Sequence, residues 1–298
     1  MSVNITKNAM ISITGRPNVG KSTLLNALVG EKIAIVTPKP QTTRNRILAV
    51  LNLEDSQFVF MDTPGYHKPQ TRLGDYMVKV VKESVTSVDA VFLVVEPIAN
   101  IGPQEESLIA QIKGKNIPAV LIINKIDTVK KDVLLEVIAA YQNAHDFHII
   151  LPLSAKTGDG LDSLKNTLQD FAAEGPPLFP EGEVTDQPER QIMAEILREK
   201  ILLNMDKEIP HGVAIEITKF SERENEIIDI EATIYTEKKS HKGMIIGKQG
   251  AMLKQIGASA RYDMEAFMGT KVYLETWVKV KERWRDSDFL LRNFGYSE

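Results

Sequence analysis

Gly15-Arg16-Pro17-Asn18-Val19-Gly20-Lys21-Ser22 decides how the rest of the chain is organised. Two glycines enclose four residues and are followed by Lys-Ser, with the apolar run Met10–Ile13 before them. After them, Ser22–Val29 has the apolar spacing of a helix. A glycine-rich turn between a strand and a helix lets backbone N–H groups curl around a phosphate, and the helix dipole adds to the attraction. In that geometry Lys21 reaches the outer phosphates and the Ser22 hydroxyl ligates magnesium. Thr23 closes the expected nucleotide-binding run.

Working outward, the runs Phe58–Met61, Ala90–Val95, Ala119–Ile123 and Ile149–Leu153 are nearly continuous in apolar residues. Continuous rather than alternating patterns mark strands covered on both faces, as in a parallel sheet. Stretches such as Gln104–Ile112 and Leu161–Phe171 have helical spacing. Strand and helix in alternation predict an α/β doubly wound domain over residues 1–175, and with the phosphate loop at Gly15–Ser22 it resembles the Ras-like P-loop NTPase domains.

Three strands run directly into polar segments. Asp62-Thr63-Pro64-Gly65 offers a carboxylate that can hold magnesium through water and an N–H at Gly65 that can sense the γ-phosphate. Asn124-Lys125-Ile126-Asp127 places a carboxylate, Asp127, able to accept from N1–H and the 2-amino group of guanine. Adenine offers neither donor, and sites built on such bonds reject the wrong partner by factors on the order of 10⁴. Ser154-Ala155-Lys156 can set a backbone N–H on the guanine O6. Four segments in order, each beyond the carboxyl end of a strand, predict a site for GTP and GDP with Mg²⁺.

These segments resemble the nucleotide-binding elements of translation-factor-related GTPases. Gln41-Thr42-Thr43-Arg44 resembles that group's first switch, which implies that Thr43, with Thr42 as the alternative, completes a magnesium shell formed with Ser22 and Asp62. Ras-like proteins carry a water-orienting glutamine directly after the Asp-x-x-Gly segment, where this chain has Tyr66. An intrinsic turnover of about 10⁻⁴ to 10⁻² s⁻¹ is therefore expected. Asn18 stands where potassium-stimulated relatives also carry asparagine, so K⁺ is a candidate cofactor. The expected catalytic set is Lys21, Thr43, Gly65 and Asn18.

From Gly175 to Pro188 the composition turns proline-rich, and residues 176–188 read as a linker. Beyond it the pattern is helix (Glu189–Asn204), strand (Gly212–Phe220), strand (Ile227–Thr236), helix (Gly250–Met268) and strand (Lys271–Val280), an α+β domain over 189–280. Gly247-Lys248-Gln249-Gly250 precedes its second helix. Gly-x-x-Gly turns clamp the backbone of unpaired nucleotides in KH domains. From Lys238 to Arg261 there are six Lys or Arg and no Asp or Glu, in a chain whose net charge is −4. That local basic footprint suits single-stranded RNA. Ile246, Gly247, Lys248, Gln249, Gly250, Lys254 and Arg261 are the expected contacts, and the element order resembles a type II KH domain. The tail, 281–298, carries Trp284, Phe289, Phe294 and Tyr296, for which packing against the domain is favoured over stacking on bases.

A GTPase domain followed by a type II KH domain resembles the Era GTPases of bacteria over essentially the whole chain. The resemblance implies a GTP-switched factor that binds the 3′ end of 16S ribosomal RNA, acts in 30S subunit biogenesis, and has a peripheral fraction at the inner membrane. Tyr66 departs from the aliphatic residue usual in the family. Two other readings stay open, a tRNA-modification or RNA-chaperone GTPase and a non-switching scaffold that binds GTP. The absence of cysteine excludes disulfides and thiolate chemistry. No apolar run approaches the roughly 18 residues of a membrane span, and the N-terminus has no signal-peptide pattern. A cytoplasmic monomer is expected.

Overall fold

The computed structural model describes residues 5–65, 69–84, 88–205 and 209–296. It divides into two compact units, one of residues 1–34, 43–68 and 77–186, the other of 35–42, 69–76 and 187–298.

In the first unit the strands are β1 (Lys7–Thr14), β2 (Ile47–Leu53), β3 (Ser56–Asp62), β4 (Ala90–Val95), β5 (Ala119–Ile123), β6 (Ile149–Pro152) and the two-residue β7 (Ala173–Glu174). Their order is β2-β3-β1-β4-β5-β6, with β7 beside the start of β1. The neighbours from β3 to β6 pair in parallel, and β2 runs antiparallel to β3. Every residue of β3, β4 and β5 is buried, which is why β4, β5 and the centre of β3, Phe58–Met61, are unbroken apolar runs, with the polar Ser56, Gln57 and Asp62 only at the ends of β3. Along β4, Phe92 and Val94 join one core layer with Leu24, Phe58 and Leu164. Val91, Leu93 and Val95 join the opposite layer with Ile109, Val137 and Tyr141. That alternation is the period of two that a covered strand requires. The helices of this unit are α1 (Lys21–Val29), α3 (Pro103–Lys115), α4 (Lys131–Ala144) and α5 (Leu161–Leu168), while α2 (Arg72–Ser84) belongs to it from Met77 onward.

The proline-rich stretch does more than tether. Val184 and Asp186 accept hydrogen bonds from the N–H groups of Val50 and Leu48 at 2.9 and 3.1 Å, and Thr185 bridges to Ala49. These contacts cover backbone groups that β2 would otherwise leave open at the sheet edge.

The second unit has the sheet order β10-β9-β8, built from β8 (Ala214–Glu222), β9 (Ile228–Thr236) and β10 (Val272–Val280). β8 pairs antiparallel with β9, and β10 pairs parallel to β9. Packed with this sheet are α6 (Glu189–Asn204), through Ile196, Leu197 and Ile201, and α8 (Ala251–Met268), through Ile256, Ala260 and Met264. The i, i+4 spacing of the latter three is the stripe visible in the sequence. A further helix, α7 (Lys239–Ile246), lies between β9 and the glycine turn and was not separated by sequence reading. Its one buried residue, Ile245, leaves no periodic stripe to detect.

The tail folds back. Trp284 is fully buried and donates from its indole N–H to the Gly212 carbonyl at 2.9 Å. Phe294 and Tyr296 pack on its ring, Phe289 is exposed, and a short helix α9 (Asp288–Asn293) carries the turn. Within this unit the guanidinium of Arg198, buried in α6, pairs with Glu195 and donates to the Thr42 carbonyl. Among the described residues no helix is long and apolar enough to cross a membrane.

Candidate nucleotide-binding site and RNA interface

The loops following β1, β3, β5 and β6 leave the carboxyl ends of parallel strands, and they hold the four segments read from sequence. Lys21 is buried, with its ammonium 3.1 Å from the Gly15 carbonyl and 2.9 Å from that of Arg16. Burial lowers its pKa to about 8, opposed by the charge of Asp62. At the start of α1, Ser22 Oγ donates to Asp62 Oδ2 at 2.6 Å. Thr43 Oγ1 lies 2.9 Å from Ser22 Oγ and 3.5 Å from Asp62 Oδ2. Thr42, by contrast, directs its hydroxyl to the Lys39 carbonyl at 2.7 Å. Asp62 is fully buried, which pushes its carboxyl pKa up against the pull of Lys21, and among the described residues its Oδ1 has no hydrogen-bond partner. Two hydroxyls and a carboxylate with an unused buried oxygen form a hard-oxygen donor set that fits Mg²⁺.

On the base side, Asn124 works as a brace. Its Nδ2 donates to the Val19 carbonyl at 2.8 Å, and its Oδ1 accepts from the Ala155 N–H at 2.9 Å. Asn124 thereby joins three of the four segments. Gly20 is required beside it, because its φ is +98° and a Cβ there would stand 2.2 Å from Asn124 Nδ2. Ser154 Oγ donates to Asp127 Oδ1 at 2.7 Å. Lys125 donates to the Asn18 carbonyl at 2.7 Å and to Glu96 Oε1 at 2.6 Å. A Cβ on Gly65 would lie 2.7 Å from the Pro17 backbone, so the Asp62–Gly65 segment touches the phosphate loop. Thr63 turns inward and donates to the Ile13 carbonyl at 3.0 Å, Pro64 and Val19 are buried, Thr23 is half-buried, and Lys156 is exposed. Asn18 has φ +66°, a left-handed conformation that asparagine tolerates. Tyr66 lies outside the described residues.

Two acids at this site were not found from sequence. Glu96 follows β4, and Glu105 sits in the first turn of α3 with its side chain only 1% exposed, paired with Arg16. An acid in a first helical turn ordinarily reads as a dipole complement on the surface. Nothing local marks it as buried.

In the second unit α7 ends at Gly247, whose φ is +72° and where a Cβ would stand 2.6 Å from that of Met252. Lys248, Gln249, Lys254 and Arg261 are exposed, Ile246 is half-buried, and Gly250 caps the start of α8 in the left-handed region. The turn thus presents amide and ammonium groups outward while Ile245 and Ile256 anchor its two helices in the core.

The family model described as "50S ribosome-binding GTPase" matches residues 10–125, and the KH domain model matches 208–285. The chain is 51% identical over 290 residues to the GTPase Era of Ruminiclostridium cellulolyticum, covering 97% of each. It is 49% identical to that of Clostridioides difficile, covering 98% of this chain and 99% of the relative. A crystal structure of Era with MgGDPNP and nucleotides 1506–1542 of 16S ribosomal RNA superposes with TM-score 0.94 at 38% identity, over 98% of this chain and 100% of that one. A single-residue variant of Aquifex aeolicus Era bound to GDP and AlF₄⁻ matches with the same score, identity and coverage. With about half its residues shared along nearly its whole length, the chain belongs to the Era family of GTPases.

Proposed function

We propose that the chain is a GTP-hydrolysing switch that binds the single-stranded 3′ end of 16S ribosomal RNA and acts in biogenesis of the 30S subunit. The observation that carries this reading is the full-length likeness to an Era structure holding both a GTP analogue with magnesium and that RNA segment. Residues 1–175 would bind and hydrolyse the nucleotide, 189–280 would bind RNA, 176–188 would join them and 281–298 would brace the second.

In the nucleotide site the backbone N–H groups of the loop and first helical turn, residues 15–23, surround the phosphates, and Lys21 neutralises the outer two. Asp127 accepts from the guanine edge, and the Ala155 N–H donates to O6. Ser22, Thr43 and Asp62 would hold Mg²⁺, which supplies charge neutralisation between the β- and γ-phosphates. Phosphoryl transfer needs position and charge more than covalent help, and no described residue stands in for the Ras-like glutamine, so unassisted turnover is slow. Ordering of Thr43 and Gly65 by the γ-phosphate, and their release on hydrolysis, would make the switch. In the second unit Ile246, Gly247, Lys248, Gln249 and Gly250 clamp the RNA backbone, with Lys254 and Arg261 continuing the basic track along α8. Any membrane-associated fraction would be peripheral.

The test is the affinity for a short RNA copying the 16S 3′ end, at fixed salt, with GTP analogue and with GDP. Tighter binding with the analogue, lost in Gly250→Asp, is expected. Equal or undetectable binding in both states would refute a GTP-gated RNA factor.

A further inference from the structure

We infer that Glu105 is a positioning residue for the phosphate loop, acting through the side chain of Arg16. The inference rests on reading that loop as a guanine-nucleotide site.

Glu105 is buried in the first turn of α3. Its carboxylate pairs with Arg16 Nε and meets no hydrogen-bond donor other than that guanidinium among the described residues. Tyr141 lies close enough that burial, and then the charge of Glu105, push its phenol pKa up. A buried carboxylate with a single cationic partner is strongly committed to it, because losing the partner strands a charge away from water. The Arg16 side chain is therefore pinned from outside the loop while its carbonyl receives Lys21 from inside at 2.9 Å.

Glu96 makes the arrangement selective. Its Oε2 lies 3.9 Å from Arg16 Nη2, and its Oε1 is 2.6 Å from Lys125 Nζ, the group that also holds the Asn18 carbonyl. With Glu105 neutralised, the remaining carboxylate beside Arg16 is the one Lys125 already uses. Competition for Glu96 would slacken Lys125 on Asn18, so the loop would lose its grip at residues 16 and 18 together. Glu105 keeps the two cations on separate acids, one serving the loop and the other joining the loop to the guanine-reading segment.

The experiment follows release of a fluorescent GDP from the full chain, alongside melting temperature without nucleotide and the separate kcat and KM for GTP. Glu105→Gln is expected to speed release about tenfold, the scale for losing a partner one step removed from a ligand. KM should rise while kcat stays within about twofold, the pattern of lost uniform binding. Glu105→Asp, which keeps the charge, should fall between Glu105→Gln and wild type. Arg16→Met with Glu105→Met removes both charges together, so it should melt near wild type yet release GDP as fast as Glu105→Gln. Wild-type release from Glu105→Gln overturns the inference, even if the double variant is fast, since Arg16 would then act on the nucleotide directly. If the wild-type chain does not retain GDP, the underlying reading of the loop fails instead.

Discussion

Ser154 Oγ stands 2.7 Å from Asp127 Oδ1, so the segment after β6 orients the carboxylate supplied by the segment after β5. Replacing that carboxylate by an amide places a donor opposite the guanine donors. Asp127→Asn should cost GDP affinity on the order of 10³ and favour xanthine nucleotides, which carry an acceptor at position 2. Competition of GDP and XDP for a fluorescent nucleotide measures the exchange of preference. An undiminished choice of GDP would remove Asp127 from the base site.

Thr43 rather than Thr42 shares its hydroxyl with Ser22 and Asp62. Thr43→Ala should weaken the GTP analogue and lower turnover by about a hundredfold, while GDP affinity barely moves. Thr42→Ala should leave the ratio of GTP-analogue to GDP affinity near wild type. Reversal of the two phenotypes would reassign the residue.

Asn18 poses a choice between side chain and backbone. Its carbonyl already serves Lys125 and its backbone is left-handed, so the residue has a structural role whatever its amide does. If that amide also ligates K⁺, turnover will be several-fold faster in potassium than in sodium at equal ionic strength. Asn18→Asp will narrow the difference. Equal rates in both salts confine Asn18 to its turn.

Most of this architecture was legible, and the misses share a cause. β4, β5 and the centre of β3 announced themselves because burial on both faces favours continuous apolar residues. β2 lacked the usual hairpin signal, since it joins β3 through Glu54-Asp55 with Glu54 at φ +53° and no glycine or asparagine in the turn. Local pattern also singled out Lys21, Asp62, Asn124 and the glycine turn at 247–250 as candidates. It could not locate Glu105, because the partner that makes it buried, Arg16, lies 89 positions away in the chain. Motifs record what touches a ligand and seldom what holds the motif.

Gly247 and Gly250 are not equivalent mutational targets. A side chain at Gly247 collides with Met252 at the start of α8, whereas one at Gly250 meets no atom within 4 Å and is strained only by φ. Lys248→Glu, on an exposed and unstrained position, is the cleaner probe. It should weaken RNA binding about tenfold, flatten the salt dependence, and leave nucleotide affinity unaltered. A drop in melting temperature comparable to that of Gly247→Asp would show that packing, not RNA contact, had been disturbed.

On the sheet of the second unit, hydrogen bonding from Arg223, with lesser help from Lys219, lowers the Asp229 pKa below its ordinary 3.8. A carboxyl depressed by folding stabilises fully above its unfolded pKa, and that contribution disappears as pH falls through the folded value. Acid unfolding of the second unit should accordingly begin at higher pH in Arg223→Ala, followed by circular dichroism between pH 5 and 2. An unmoved midpoint would show the pair to be energetically silent.

Trp277 and Trp284 are the protein's two tryptophans, and both lie in the second unit. One is 42% exposed on β10 and the other is sealed beneath Phe294 and Tyr296. Ultraviolet emission excited at the indole band is therefore a one-sided optical gauge, dark to melting of the nucleotide unit. Its two dyes separate by access: a dissolved quencher extinguishes Trp277 at once and reaches Trp284 only after the C-terminal tail has peeled away.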